Sequence, residues 1–230
     1  VGSSENYFHS LLDYFPRLFT ITKELLNKID NIVLGESLPK NNKMLESLLE
    51  KLNLRKKIIL LDKKTYLFEN SFFPLNINYQ QRILNLKDTF KKQKINKGFR
   101  NIYISRSDSQ NRKITNEKNL INYLKKFNFK TYILSELNFL DQIKLFEEAK
   151  IVVSLHGAGL ANLVFSNEKT KVVEISPSLD FNLKNDWFEH SMKNNKRNPG
   201  LSRNHFKLIC LINNIEHYFY FSTIFDEPSF

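Results

Sequence analysis

The chain has 230 residues, and 35 Lys and Arg against 24 Asp and Glu give it a formal net charge of +11. A hydrophobic content of 41 % with 20 Phe excludes a disordered chain, and the one cysteine, Cys210, excludes a disulfide framework or a cysteine-based zinc site within it. No apolar run approaches the roughly 18 residues of a membrane span, and no signal-peptide core is visible. Periodicity predicts a helix over 5–27 with an apolar stripe of Phe8, Leu11, Leu12, Phe15, Leu18 and Phe19, interrupted at Pro16. A strand over Asn31–Leu34, a helix over Lys40–Leu52 and a strand over Lys57–Leu61 follow, with Thr65–Phe68 as a third short strand. Residues 69–78, with Pro74 and several Asn, read as a linker, which divides the chain into 1–76 and 77–230. A helix is expected again over 79–94, carrying Ile83, Leu84, Leu86 and Phe90.

The second half is more regular. Strands are predicted over Ile102–Ser105, Thr131–Leu134, Ile151–Leu155, Lys171–Ile175 and His217–Phe221. Helices are predicted over Asn116–Phe127 with Thr115 as its cap, then Leu140–Ala149, Ala158–Phe165, Phe181–Asn194 and Asn204–Asn213. Strands alternating with helices of about ten residues imply parallel β-α-β units. Continuous apolar strands such as Ile151-Val152-Val153 imply a sheet covered on both faces. The expected fold class is α/β, with two Rossmann-like lobes.

Four places could carry chemistry. Ile151-Val-Val-Ser-Leu-His156-Gly157-Ala158-Gly159 runs from a buried strand through a small-residue turn into a helix. Gly157 and Gly159 there would let backbone approach a ligand, and the helix terminus favours an anion such as diphosphate. Glu174 stands at the carboxyl end of the next apolar strand, placed to accept from ribose hydroxyls or to bridge a neighbour. Arg106, leaving the strand Ile102–Ser105, and the following Arg112-Lys113 lie where α/β folds bind ligands, and arginine suits phosphate. His9 and Asp13, four residues apart, share one helix face, as a general base with its carboxylate or as an ordinary surface pair.

No Asp-x-Asp, His-Glu-x-x-His, Gly-x-Ser-x-Gly or P-loop is present. A nicotinamide-dependent oxidoreductase is the second enzyme class, but Asn162 stands where the dinucleotide fingerprint has its third glycine. A basic nucleic-acid-binding module is the non-enzymatic class that a charge of +11 allows. Against it, Lys56-Lys57, Lys63-Lys64, Lys91-Lys92 and Lys125-Lys126 read as solvated faces.

Together these segments resemble glycosyltransferase family 61. The likeness lies in Asn6-Tyr-Phe-His9-Ser-Leu-Leu-Asp13-Tyr-Phe-Pro16-Arg17-Leu18, in Ile102-Tyr-Ile-Ser-Arg106 with Arg112-Lys-Ile-Thr-Asn116-Glu117, and in Asp141-Gln142-Ile ahead of Ala149. It continues through Ile151-Val-Val-Ser-Leu-His156-Gly-Ala-Gly-Leu160-Ala-Asn162 and Val172-Val-Glu174-Ile-Ser-Pro177. The resemblance implies a GT-B architecture and an inverting sugar transfer from a nucleotide-sugar to a glycan, lipid-linked or protein acceptor. It implies no obligatory metal and no other cofactor, and nucleic acid is not an expected partner. Arg106, Arg112, Lys113, His156, Gly157, Ala158 and Gly159 would then contact the donor diphosphate and Glu174 would face the nucleoside. Asp13, aided by His9, would deprotonate the acceptor. The chain begins with Val1, almost at the His9 motif, so a first lobe cut short is expected. Its location is expected to be cytoplasmic and peripheral to a membrane for a bacterial-type chain, or the secretory lumen for a eukaryotic one.

Overall fold

The structure, a computed structural model, describes residues 6–34, 43–54, 58–61, 66–72, 77–90, 99–109, 113–177 and 205–222. The chain divides into two compact units, one of residues 1–94 with 137–144 and one of 95–136 with 145–230.

In the first unit Asn6 caps the opening helix by accepting from the Phe8 N–H at 3.0 Å. The chain then runs through α1 (Tyr7–His9), a π-helical turn (Ser10–Tyr14) and a 3-10 segment (Phe15–Thr20). This replaces the single interrupted α-helix that periodicity predicts. Pro16 lies in the first turn of the 3-10 segment, where a missing N–H breaks no intrahelical bond. Phe8, Leu11, Leu12, Phe15 and Leu18 are all buried, so the apolar stripe is core. Thr22 caps α2 (Lys23–Lys28). β1 (Ile32–Leu34) and β2 (Ile58–Leu60) pair in parallel, with α3 (Lys43–Lys51) between them in sequence burying Met44, Leu45, Leu48 and Leu49.

Residues 66–68 are not the strand expected over Thr65–Phe68. The Tyr66 and Phe68 rings stack on each other at 6.3 Å and Leu67 is exposed, so these apolar groups are satisfied without a sheet. α4 (Tyr79–Phe90) buries Ile83, Leu86 and Phe90, and Phe90 meets Phe139 edge to face at 5.3 Å.

The second unit holds a five-stranded, wholly parallel sheet. Its strands are β3 (Arg100–Ser105), β4 (Phe129–Ile133), β5 (Ala149–Leu155), β6 (Lys171–Pro177) and β7 (Glu216–Ser222), in the order β4-β3-β5-β6-β7. α5 (Glu117–Lys125) follows β3, and α6 (Phe139–Glu147) stands before β5 in sequence. α7 (His205–Ile212) precedes β7. The helix predicted over Phe181–Asn194 lies outside the described residues. Asn116, not Thr115, is the residue at the α5 cap, because the backbone bond from Glu117 N–H to Ile114 C=O starts the helix one residue later.

Alternation along the strands divides the core. Tyr103, Val153, Leu155 and Ile175 form one buried cluster with Leu120, Ile121 and Leu124 of α5 packed against it. The opposite parity puts Ile102, Val152, Val172 and His217 in one cross-sheet row and Ile104, Ser154, Glu174 and Phe219 in the next. Ala158–Phe165, predicted as a helix, forms a 3-10 helix whose Leu160, Ala161, Leu163 and Val164 are buried. The buried Asn213 amide donates to the Leu163 and Val164 carbonyls at 3.1 Å each, fastening the end of α7 to that segment.

Cys210 on α7 is buried, and burial, then the nearby Glu174 charge, pushes its thiol up to about 12. A thiol-specific disulfide reagent at neutral pH is therefore expected to leave the native protein unlabelled and to label it fully once unfolded. Rapid labelling of the native protein would contradict this packing.

Candidate functional site

A strand order that departs to β4 on one side of β3 and returns to β5 on the other creates a switch point between β3 and β5. In open α/β sheets, ligands bind outside the carboxyl ends of the strands at such a point. Two segments leave the sheet there and touch. Arg106 Nη1 donates to the His156 carbonyl at 2.7 Å and Nη2 donates to Ser109 Oγ at 2.8 Å. The loop is itself held by Ser109 N–H on the Arg106 carbonyl at 2.9 Å and by Ser107 N–H on Ser105 Oγ at 3.1 Å.

The two glycines of the turn answer to these neighbours. A Cβ on Gly157 would stand 1.7 Å from Arg106 Nη1, and one on Gly159 would stand 2.7 Å from Leu134 Cδ1. The space expected to admit a ligand over Gly157 is filled by the Arg106 guanidinium.

Behind the turn lies a buried three-residue chain of polar groups. The Glu174 side chain is 1 % exposed, and it accepts from His156 Nδ1 on Oε1 and from His217 Nε2 on Oε2 at 2.8 Å. Burial raises the Glu174 carboxyl, but hydrogen bonds from the two imidazoles and the attraction of both rings outweigh it and hold the group below its ordinary value. An ionised carboxylate can only accept, so both facing nitrogens carry hydrogen. His156 is thereby fixed with Nδ1–H inward and Nε2 turned away from the carboxylate. Its side chain is 27 % exposed, and its ring stands edge-on to Phe206 of α7 at 5.2 Å.

A second cluster forms in the other unit. His9 Nδ1 lies 2.7 Å from Asp13 Oδ2, and Arg82 Nη1 of α4 donates to Asp13 Oδ1 at 2.8 Å. Arg82 is anchored by Nε on the Ile77 carbonyl at 2.9 Å, and Arg17 Nε donates to the Asp13 carbonyl at 3.1 Å. Asp13 sits inside the π-helical turn, a geometry that recurs at functional positions. Burial, then the Asp13 charge, push the Tyr79 hydroxyl well above its usual range, with Arg82 opposing. Both Asp13 oxygens are occupied, whereas the His9 side chain is 52 % exposed.

The structure thus brings Arg106, His156, Gly157 and Glu174 together, with Ala158 half-buried beside them, and pairs His9 with Asp13 elsewhere. Glu174, expected to face a nucleoside, is buried with one oxygen on His156 and the other on His217. Lys113 is exposed, and Arg112 lies outside the described residues. Sequence reasoning missed Arg82, Phe206 and His217. The available signal for His217 was only a histidine opening a predicted strand. Among the described residues, no group of three or more His, Cys, Asp or Glu is placed to hold a metal ion, and no helix is long and apolar enough to cross a membrane.

Residues 7–173 match the family described as Glycosyltransferase 61. The match ends one residue before Glu174. Beta-1,2-xylosyltransferase RCN11 of rice (Oryza sativa subsp. japonica) is similar over 111 residues at 26 % identity, covering 41 % of this chain and 21 % of the rice protein. The aligned stretch is thus about a fifth of that relative's length.

Two outcomes follow from the geometry. Gly157→Ala is expected to destabilise the fold by about 1–3 kcal/mol through crowding, and to cost much less in an Arg106→Ala background. Denaturant titration of the four proteins measures this, and equal costs in both backgrounds would show that the guanidinium does not fill that space. For Glu174, a depressed carboxyl contributes stability above its ordinary value of 4.5 and loses it as pH falls through the lower folded value. The melting temperature should therefore drop through this acid range, while Glu174→Gln is less stable at neutral pH and shows a flatter acid limb. An acid limb equally steep in Glu174→Gln would contradict the assignment.

Proposed function

Because the chain belongs to the glycosyltransferase 61 family, we propose that it transfers a sugar from a nucleotide-sugar donor to a hydroxyl of a glycan, lipid-linked or protein acceptor. The observation that carries this is the meeting of Arg106 and His156 at the switch point of a parallel sheet. Arg106 offers a planar donor set suited to phosphate oxygens. His156 offers Nε2, and the Glu174 carboxylate behind the ring offsets the charge of an imidazolium. The first turn of the 3-10 helix at Ala158 adds N–H groups that take no intrahelical bond. When the anomeric carbon–oxygen bond breaks, the diphosphate gains negative charge, and donors already in place stabilise it without reorganisation.

The transfer is proposed as a single inverting displacement of GT-B type, with the cationic role at the diphosphate taken by Arg106 and His156. The acceptor oxygen bonds the anomeric carbon, the diphosphate leaves, and the acceptor proton passes to a base. His9 is assigned as that base, reversing the expected roles: Asp13 has one oxygen on His9 and the other on Arg82, and so fixes the ring instead of taking the proton itself. The name of the rice relative makes a pentose donor one arm of the test. A lipid-linked acceptor would bring the chain to an anionic membrane surface, which a net charge of +11 favours.

Uridine, guanosine and cytidine diphosphates serve as probes. The wild-type protein should bind at least one, and Arg106→Ala should weaken that binding about 10–100-fold. Unchanged affinity in Arg106→Ala removes the donor site from this corner. With the nucleotide known, xylose, glucose and N-acetylglucosamine donors are assayed for transfer and slow hydrolysis. His9→Ala is expected to lower turnover about 10²–10⁴-fold while nucleotide binding persists. Full turnover in His9→Ala refutes its role as base.

A further inference from the structure

The proposed donor site uses His156, yet the group that secures its orientation is shared. Each Glu174 oxygen takes one imidazole, and the second belongs to His217 on β7, 43 residues further along the chain. Cross-sheet register makes this possible, since His217 pairs with Val172 and lies in the row next to Glu174 on the same face. The His217 side chain is 5 % exposed, and its ring packs against Phe219 at 4.4 Å. Its Nδ1 is buried with no hydrogen-bond partner among the described residues. A surface ion pair would tolerate replacement. A buried carboxylate deprived of one donor must instead rotate, admit water or take up a proton.

We infer that His217 is a positioning residue for the proposed donor site, acting through Glu174 to hold the His156 ring with Nε2 turned outward at the Arg106 corner. This rests on the reading of that corner as a diphosphate site. The chain of contact is physical throughout: His217 Nε2–H to Oε2, Oε1 to His156 Nδ1–H, and Phe206 edge to ring with His156 at 5.2 Å. That His217 Nδ1 has no hydrogen-bond partner among the described residues fits this role. A residue present only to stabilise the sheet gains nothing from a buried polar atom without a partner, whereas a ring that must deliver Nε2–H to Glu174 leaves its other nitrogen wherever the backbone puts it.

His217→Phe removes the donor while keeping a ring, and His217→Gln keeps an N–H close to the position of Nε2. Long-range ¹H–¹⁵N spectra of histidine-labelled protein report the tautomer and ring environment of His156. Isothermal titration with inorganic pyrophosphate, followed by the nucleoside diphosphate that binds, reports the site. In His217→Phe the His156 nitrogen signals should move and pyrophosphate affinity should fall about tenfold, with His217→Gln restoring both. Unmoved His156 signals with wild-type affinity in His217→Phe overturn the inference and leave the donor site standing. Moved signals in a protein that binds neither pyrophosphate nor any nucleotide uphold the positioning role and remove the functional reading. Should His217→Phe fail to fold, the wild-type spectrum decides. A His217 Nε2–H proton slow to exchange supports the coupling, and a fast-exchanging or Nδ1–H ring contradicts it.

Discussion

A carboxylate inside an apolar sheet persists only if its oxygens find donors, and Glu174 finds two imidazoles. Desolvating an unpartnered carboxylate costs several kcal/mol, so this arrangement constrains more than one side chain. It requires β7 to lie beside β6 in a particular register, since a one-residue slip would turn His217 to the other face. From α7, Phe206 meets the His156 ring and the buried Cys210 lies near Glu174. The arrangement also ties the His156 ring to the sheet through Nδ1. Stability and site geometry are here consequences of the same hydrogen bonds.

The outer half of the corner has a different logic. Arg106 is placed by a short polar turn and by the His156 carbonyl, and it occupies the volume that any side chain at position 157 would need. Glycine at 157 serves the arginine's placement. The backbone there is extended, which any residue adopts, so the requirement is steric and not conformational. In the other unit, Arg82 clamps Asp13 much as the imidazoles clamp Glu174, and a histidine is again the more accessible partner. Both clusters pair a carboxylate with a histidine, but Glu174 is 1 % exposed whereas Asp13 is 30 % exposed.

Much of the second unit was legible in the sequence because parallel strands covered on both faces leave continuous apolar runs, as in Ile151-Val152-Val153. That Arg106, His156 and Gly157 stand at strand ends was legible too, and the structure brings them into contact. Thr65–Phe68 misled because aromatic residues score as strand whether a sheet or a neighbouring ring satisfies them. The π-helical turn was invisible because its residues read as ordinary helix. The contact between Glu174 and His217 depends on register between strands whose paired positions stand 45 residues apart, which no local pattern encodes. The neighbour that occupies the space over Gly157 was hidden similarly, because it comes from a residue 51 positions earlier.

The most direct measurement is a crystal structure of the protein with its preferred nucleoside diphosphate. The account predicts phosphate oxygens within hydrogen-bond distance of His156 Nε2 and the Arg106 guanidinium, with Glu174 still enclosed between His156 and His217. A diphosphate bound elsewhere, or a Glu174 carboxylate released from the imidazoles to contact the ribose, would contradict it.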